Sequence, residues 1–274
     1  MLQPQDLALT ILGAYTREAG GVVWSGGMVE LLGEFGFSTE AARAALARLA
    51  TRGLLERHRD GRLIHYALTA RATRLLEAGD RRIFTFGRGA PTARRWTTLW
   101  HAIPERRRVE RARLAAQLRF LGFGSLQDAT WIAAHDRERE LLAVLRELEV
   151  EPYASVLVGR LSRGLGAAAL VAQAWDLKQL ARLYERFLED LAPLRRARER
   201  RRLSDRDAFV VRVRTLHRFR GFPSVDPELP DSLGGHERLR ARTLAAFDSL
   251  YEDLAEPAER HFEVVARTRL HAVR

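Results

Sequence analysis

Residues 38–68 read STEAARAALARLATRGLLERHRDGRLIHYAL, and no other stretch constrains the fold as tightly. Ser38 or Thr39 offers a capping hydroxyl, and Ala42, Ala45, Leu46 and Leu49 follow three and four residues apart. That spacing predicts a helix with one apolar stripe, stopped by Gly53. Leu54–Arg59 and Arg62–Leu68 then read as strands joined by Asp60-Gly61, a dipeptide that takes the positive φ of a two-residue hairpin loop. A helix followed at once by a basic hairpin is the order in which a winged helix-turn-helix meets duplex DNA.

The outer face of that helix carries Glu40, Ala44, Ala47, Arg48 and Thr51, with Arg43 on its flank. The two alanines keep the face low, so its backbone can approach a groove floor while the arginines reach base edges or phosphates. The hairpin tip collects Arg57, His58, Arg59, Arg62 and His65, while Leu55, Ile64, Tyr66 and Leu68 are expected to pack inward. The candidate DNA contacts are therefore Ser38, Thr39, Arg43, Arg48 and Thr51 on the helix, with Arg57, His58, Arg59, Arg62 and His65 on the wing.

With 274 residues the chain suits two or three domains, and 46% hydrophobic content excludes a disordered basic tail. The net charge of +11 favours an anionic partner. Lys178 is the single lysine, so this charge is almost all arginine, a bias that a GC-rich genome explains as well as function does. The lack of cysteine excludes disulfides and thiolate zinc sites. No apolar run approaches membrane length and no basic segment precedes an apolar run at the start, so a soluble, cytoplasmic protein away from membranes is expected.

Along the chain, Asp6 to Glu18 reads as a helix stopped by Gly20-Gly21, Val22 to Trp24 as a short strand, and Ser25 as the cap of a helix over 26–34. A helix from Thr69 to about Asp80 closes the first domain, and 87–94 is a linker. Beyond it, strands are expected at 95–103, 130–133, 153–161 and 167–173, with helices over 104–121 and 136–148. That βαβαββ order departs from the double βαβ repeat, yet a ferredoxin-like sheet with two helices on one face remains the economical reading. From Asp176 the pattern is helical: a helix to about Leu191, an arginine-rich segment over 194–202, helices over 205–218 and 237–254, and a last one after Pro257. The expected architecture is α+β, with a winged helix-turn-helix over 1–86, a ferredoxin-like domain over 95–175 and a helical C-terminal domain over 176–274.

An ordered set of segments resembles the PaaX family, the phenylacetic acid degradation repressors. GGVVW, FGFSTEAARAALARLATRGLLE and GRLIHYALT match in the first domain, and RWTTLWHAIPERRRVERARLAAQLRFLGFGSLQDATWIA in the middle. AWDLKQLARLYERFL and DPELPDSLGGHERLRARTLAAFDSLYEDLAEPAERHF continue the match to the tail. Ala42 stands where the family usually has a β-branched residue, which bears on packing more than on readout. The resemblance implies a Cas2-like central domain and a homodimeric repressor on an inverted-repeat operator, released by an aryl-coenzyme A thioester such as phenylacetyl-CoA. Residue type alone offers Trp131, Arg160, Arg163, Trp175, Arg214, His217 and Arg220 as effector contacts. The C-terminal helical domain is the first choice for the dimer contact, and the helix over 177–191 the second.

The alternative is a metal-dependent nuclease on the Cas2-like domain, which would need carboxylates at the end of its first strand. That strand ends Trp100-His101-Ala102-Ile103, and no acid comes before Glu105. No G-x-S-x-G, H-E-x-x-H, Walker or dinucleotide motif supports chemistry at His135-Asp136 or His217. No catalytic site, metal site or cofactor is expected, apart from the effector.

Overall fold

The computed structural model describes residues 2–16, 22–89, 95–161, 166–199 and 203–267. The expected stop at Gly20-Gly21, Arg163 and residues 90–94 of the linker lie outside the described residues. The chain divides into two compact units: Met1–Arg81 with Leu191–Phe219 and Ala246–Arg274, and Arg82–Asp190 with Arg220–Ala245.

The first unit opens with α1 (Pro4–Tyr15), β1 (Val22–Trp24), α2 (Ser25–Gly33), α3 (Thr39–Thr51), β2 (Leu55–Asp60) and β3 (Leu63–Leu68), followed by α4 (Ala70–Thr85). Its sheet runs β1-β3-β2, all antiparallel, and α3 leads directly into the β2–β3 hairpin. Ser25 is the first residue of α2 rather than its cap, since Trp24 holds the cap position with no side-chain bond. On α3 the buried residues are Ala42, Ala45, Leu46 and Leu49, the stripe expected from spacing, and the Ser38 hydroxyl accepts the Ala41 N–H.

The hairpin turn lies one residue later than expected. Asp60 pairs with Leu63, so the two loop residues are Gly61 and Arg62. Gly61 has φ +56 and Arg62 is not among the positive-φ residues, a pattern in which glycine is needed only at the first loop position. Arg57 and Arg59 therefore face the same side as Leu55, while Glu56, His58 and Asp60 face the other.

The core of this unit extends beyond the N-terminal elements. Phe209 and Val213, and Ala258, Phe262, Val265 and Ala266, pack with Leu7, Ile11, Met28 and Leu46 in one apolar cluster. They come from α9 (Asp205–Phe219) and α11 (Ala255–Arg267), two of the C-terminal helices. At Gly27 on α2 the backbone of α11 lies close: a Cβ there would be 2.5 Å from the Val265 carbonyl oxygen and 2.9 Å from the Ala266 Cα. The C-terminal region is helical, but its helices are shared between the two units instead of closing on a core of their own.

The second unit holds β4 (Trp96–His101), α5 (Arg108–Phe120), β5 (Gly124–Gln127), β6 (Thr130–Ala133), α6 (Glu138–Glu147) and β7 (Ala154–Gly159). The order is βαββαβ and the antiparallel sheet runs β5-β6-β4-β7, the ferredoxin-like arrangement. One face, with Leu99, Trp131 and Ala133, packs on Leu114 and Leu118 of α5 and Leu141 and Leu145 of α6.

The strand β5 was not expected: it is four residues long, begins with glycine and is irregular between Ser125 and Gln127. Its turn into β6 uses Asp128-Ala129, with Ala129 at φ +63, so no glycine marks it. The strand expected at 167–173 is instead helix α7 (Ala167–Ala174). A continuous apolar run fits either state by period, and the high helix propensity of its alanines decides for helix. Helix α8 (Leu177–Glu199) passes Leu191 and carries Pro193 inside, so part of the arginine-rich segment belongs to it. Asp176 caps it, its carboxylate accepting the Gln179 N–H at 2.8 Å. Helix α10 (Glu237–Asp253) follows the proline-rich loop, and α11 begins at Ala255, two residues ahead of Pro257.

Two buried ion networks hold that loop within the second unit. Asp226, fully buried, accepts from Arg240 Nε at 2.8 Å and Nη2 at 3.1 Å and from the Tyr184 hydroxyl. Glu228 accepts from Arg82 at 2.6 Å, Arg137 at 3.0 Å and the Gly87 N–H at 2.8 Å. Burial works to raise the Glu228 pKa, but Arg82, the Gly87 N–H and Arg137 hold it below the ordinary value.

Candidate nucleic-acid interface

Helix α3 and the β2–β3 wing present Arg43, Arg48, Arg52, Arg57, Arg59 and Arg62 as exposed side chains, with Arg71 beside them at the start of α4. Among the described residues none of the seven makes an ion pair. Arg48 Nε donates to Gln5 Oε1 at 3.3 Å, Arg59 Nε to the Gly61 carbonyl at 3.0 Å and Arg71 to the Arg52 carbonyl at 3.3 Å. These are neutral acceptors that steer a guanidinium without cancelling its charge. A set of uncompensated arginines on one short helix and hairpin is an electrostatic footprint for a phosphate backbone.

Ser38, Thr39 and Thr51 are exposed on α3. The Thr51 hydroxyl donates back to the Ala47 carbonyl at 3.1 Å, and Ser38 is engaged as the cap. Glu40 is also exposed, and its own N–H and the Ser38 hydroxyl hold its carboxyl below the ordinary range. An ionised acceptor amid donors repels phosphate and suits an exocyclic amino group such as that of cytosine.

His58 is exposed on the wing, within 3.8 Å of Glu56. His65 is not a surface contact: it is 4% exposed and sits opposite both Trp24 and His58. β3 is the central strand, so His65 is flanked by a paired residue on each side. Arg52, Arg71 and Gln5 were missing from the expected set. Gln5 lies 43 positions from Arg48, so no local pattern could have joined them.

Trp131 and Trp175 line a single cleft of about 240 Å3 in the second unit, together with Arg119, Phe123, Leu180 and Leu183. The Arg119 guanidinium stands 5.2 Å from the Trp131 ring centroid. Arg119 was overlooked, although its place in the last turn of α5 can be inferred from the helical spacing. Arg160 is exposed just past β7, and Arg220 is half-buried where α9 has ended. In the first unit, Arg214 stands 5.6 Å from the Phe35 ring, and His217 Nδ1 lies 3.4 Å from the Thr10 hydroxyl.

A nuclease site on this domain would need carboxylates near the end of β4. Glu105, the first acid after β4, pairs with Arg111 at 2.8 Å, and His135 Nε2 lies 3.2 Å from the Pro227 and Glu228 carbonyls, its pKa lowered by burial. Among the described residues no group of three or more metal-ligating side chains comes together.

The PaaX-like protein family model matches residues 3–72, the PaaX protein central Cas2-like domain residues 89–171, and the PaaX-like protein C-terminal domain residues 175–264. The chain belongs to the PaaX family. PaaX proteins form a regulator family, and the central sheet of this member is the Cas2-like domain. A solved structure, the uncharacterized protein Rv0674 from Mycobacterium tuberculosis, is 21% identical to this chain with a TM-score of 0.54. The match covers 92% of this chain and 97% of that one, and it speaks to the fold alone. No curated protein matches the chain. Among the described residues no helix is long and apolar enough to cross a membrane.

Proposed function

We propose that this PaaX protein is a cytoplasmic, sequence-specific DNA-binding transcriptional repressor, acting as a homodimer on an inverted repeat and released by an aryl-CoA thioester such as phenylacetyl-CoA. Helix α3 enters a major groove, and the β2–β3 wing lies against the backbone or minor groove. The observation that carries this reading is the set of seven exposed arginines on and beside α3 and the wing, none in an ion pair among the described residues. Two-fold protein symmetry matched by two half-sites supplies the specificity that one winged helix lacks. The function requires no catalysis.

The effector part rests on family membership, with support from the cleft at Trp131 and Trp175, whose volume suits one aromatic ring and its acyl group. The thioester must bind the DNA-incompetent arrangement better than the competent one, since equal affinity shifts nothing. A tenfold loss of operator affinity takes about 1.4 kcal/mol of coupling, and operator must weaken the thioester by the same factor. An operator titration with phenylacetyl-CoA, phenylacetate and coenzyme A tests this. Release by the thioester alone is expected; release by free phenylacetate alone removes the thioester and leaves the repressor. Light scattering on the free protein at micromolar concentration should return a dimer.

A further inference from the structure

The central sheet has two edges of opposite kind. Strand β5, at one edge, is four residues long and irregular between Ser125 and Gln127. Helix α7 closes against it, with the Ala174 carbonyl oxygen 2.5 Å from where a Cβ on Gly124 would stand. Short, irregular and covered edges are how sheets avoid joining one another. Strand β7, at the other edge, has none of these devices. It pairs with β4 in unbroken register over six residues, and its sequence ASVLVG holds no charge and no proline. Among the described residues no strand pairs with its outer side, which leaves a row of backbone N–H and C=O groups open to another strand.

The face of this sheet turned away from α5 and α6 is covered on one side only. Trp96 and Ile132 pack there with Val171 of α7 and with Leu229. Toward β7 that cover ends: Trp100 is 47% exposed and Leu157 60%, with Thr98 and Ser155 as their register partners. A tryptophan and a leucine beside an unprotected edge form one uncharged, apolar surface. In a chain of net charge +11, copies repel unless they meet where no net charge stands. The charges that flank β7 differ in sign at its two ends. Glu149 and Glu151 precede the strand, and Arg160 follows it, exposed and in no ion pair among the described residues. A strand acidic at its start and basic at its end is complementary to its own antiparallel copy.

We propose that a second copy of this chain occupies this surface, the two β7 strands pairing antiparallel about a two-fold axis so that the two four-stranded sheets become continuous. The inference rests on the homodimer reading above and places the contact on the central sheet instead of the C-terminal helices. Each copy then offers the other the same patch, as a two-fold interface requires. Directly opposed residues in an antiparallel pair face the same side of the sheet, and a register centred on Val156 uses the most of β7. That register sets each Leu157 opposite Ser155 of the other copy. Ser155 is the β7 partner of Trp100, and its small side chain leaves Leu157 room to reach that indole. Arg160 of each copy comes to the acidic start of the other strand.

Sedimentation equilibrium of the full chain, with and without Leu157→Lys, tests the surface. The parent should dimerise, and the variant should do so at least tenfold more weakly with an unchanged circular dichroism spectrum, since the Leu157 side chain is exposed. The chain has no cysteine, so Val156→Cys gives each copy a single thiol. Strand pairing brings the two thiols within disulfide reach across the axis. Mild oxidation should therefore yield a covalent dimer from Val156→Cys and none from Ser125→Cys on the other edge. A parent dimer that Leu157→Lys does not weaken, or that Val156→Cys does not lock, overturns this surface and leaves the homodimer to other contacts. A parent that stays monomeric removes the homodimer reading and this surface together.

Discussion

Arginine does opposite work in two regions of this molecule. On α3 and the wing the guanidiniums are exposed, and among the described residues they bond to nothing stronger than a glutamine or a carbonyl. Around the proline-rich loop of the second unit, Arg240 is 4% exposed and bidentate to Asp226, while Arg82 and Arg137 share the Glu228 carboxylate. The +11 charge of the chain therefore does not predict where an anion binds. The second set is neutralised and fixes a loop, whereas the first is left uncompensated where a phosphate backbone could compensate it.

The sharpest way to break this contrast is to make a buried arginine behave as though it were exposed. Arg240→Met leaves the Asp226 carboxylate buried without its partner, and should cost about 3–5 kcal/mol in urea unfolding. A loss within about 0.5 kcal/mol, the size expected at an open surface, would erase the distinction. Next in size, Arg43→Ala should leave unfolding unchanged and cost about 1–3 kcal/mol on the preferred operator, with relaxed discrimination at one base pair. Binding to duplexes selected from a random pool reads both quantities. An equal loss on every sequence would make Arg43 a phosphate contact instead.

The smallest effect concerns pH. Folding lowers the Glu228 pKa below its ordinary 4.5, so between the two values the unfolded chain holds more protons than the folded one. The resulting stability is complete above the ordinary value and fades as pH falls through the folded one. Glu228→Gln should give a less stable protein at neutral pH whose unfolding free energy declines less on acidification. An acid limb of unchanged slope would show that Glu228 does not set it.

The same two regions differ in how far sequence reveals them. Helix α3 was legible because burial there follows local spacing, from Ala42 to Leu49. The wing was legible to within one residue, since Asp60-Gly61 and Gly61-Arg62 are both acceptable loops and only strand pairing chooses between them. His65 was misplaced because a charged-looking strand does not announce that it lies in the middle of its sheet. In the second unit the signals were weaker: β5 has an irregular register and a turn without glycine, and the alanine run of α7 fits strand or helix by period. The sharing of α9 and α11 with the first unit had no local signature at all, because it depends on contacts such as Gly27 against Val265. The effector candidates were chosen by residue type, and within the second unit Trp131 and Trp175 line one cleft.

The most direct test of the central claim is the salt dependence of duplex DNA binding by the parent chain and by the combined variant Arg57→Ala, Arg59→Ala, Arg62→Ala. Each phosphate contact contributes about 0.9 to the slope of log affinity against log salt concentration. The account predicts weaker binding to every sequence and a slope shallower by about 2–3, with unfolding stability within about 0.5 kcal/mol of the parent. A variant that folds normally and keeps both the affinity and the slope of the parent would contradict it.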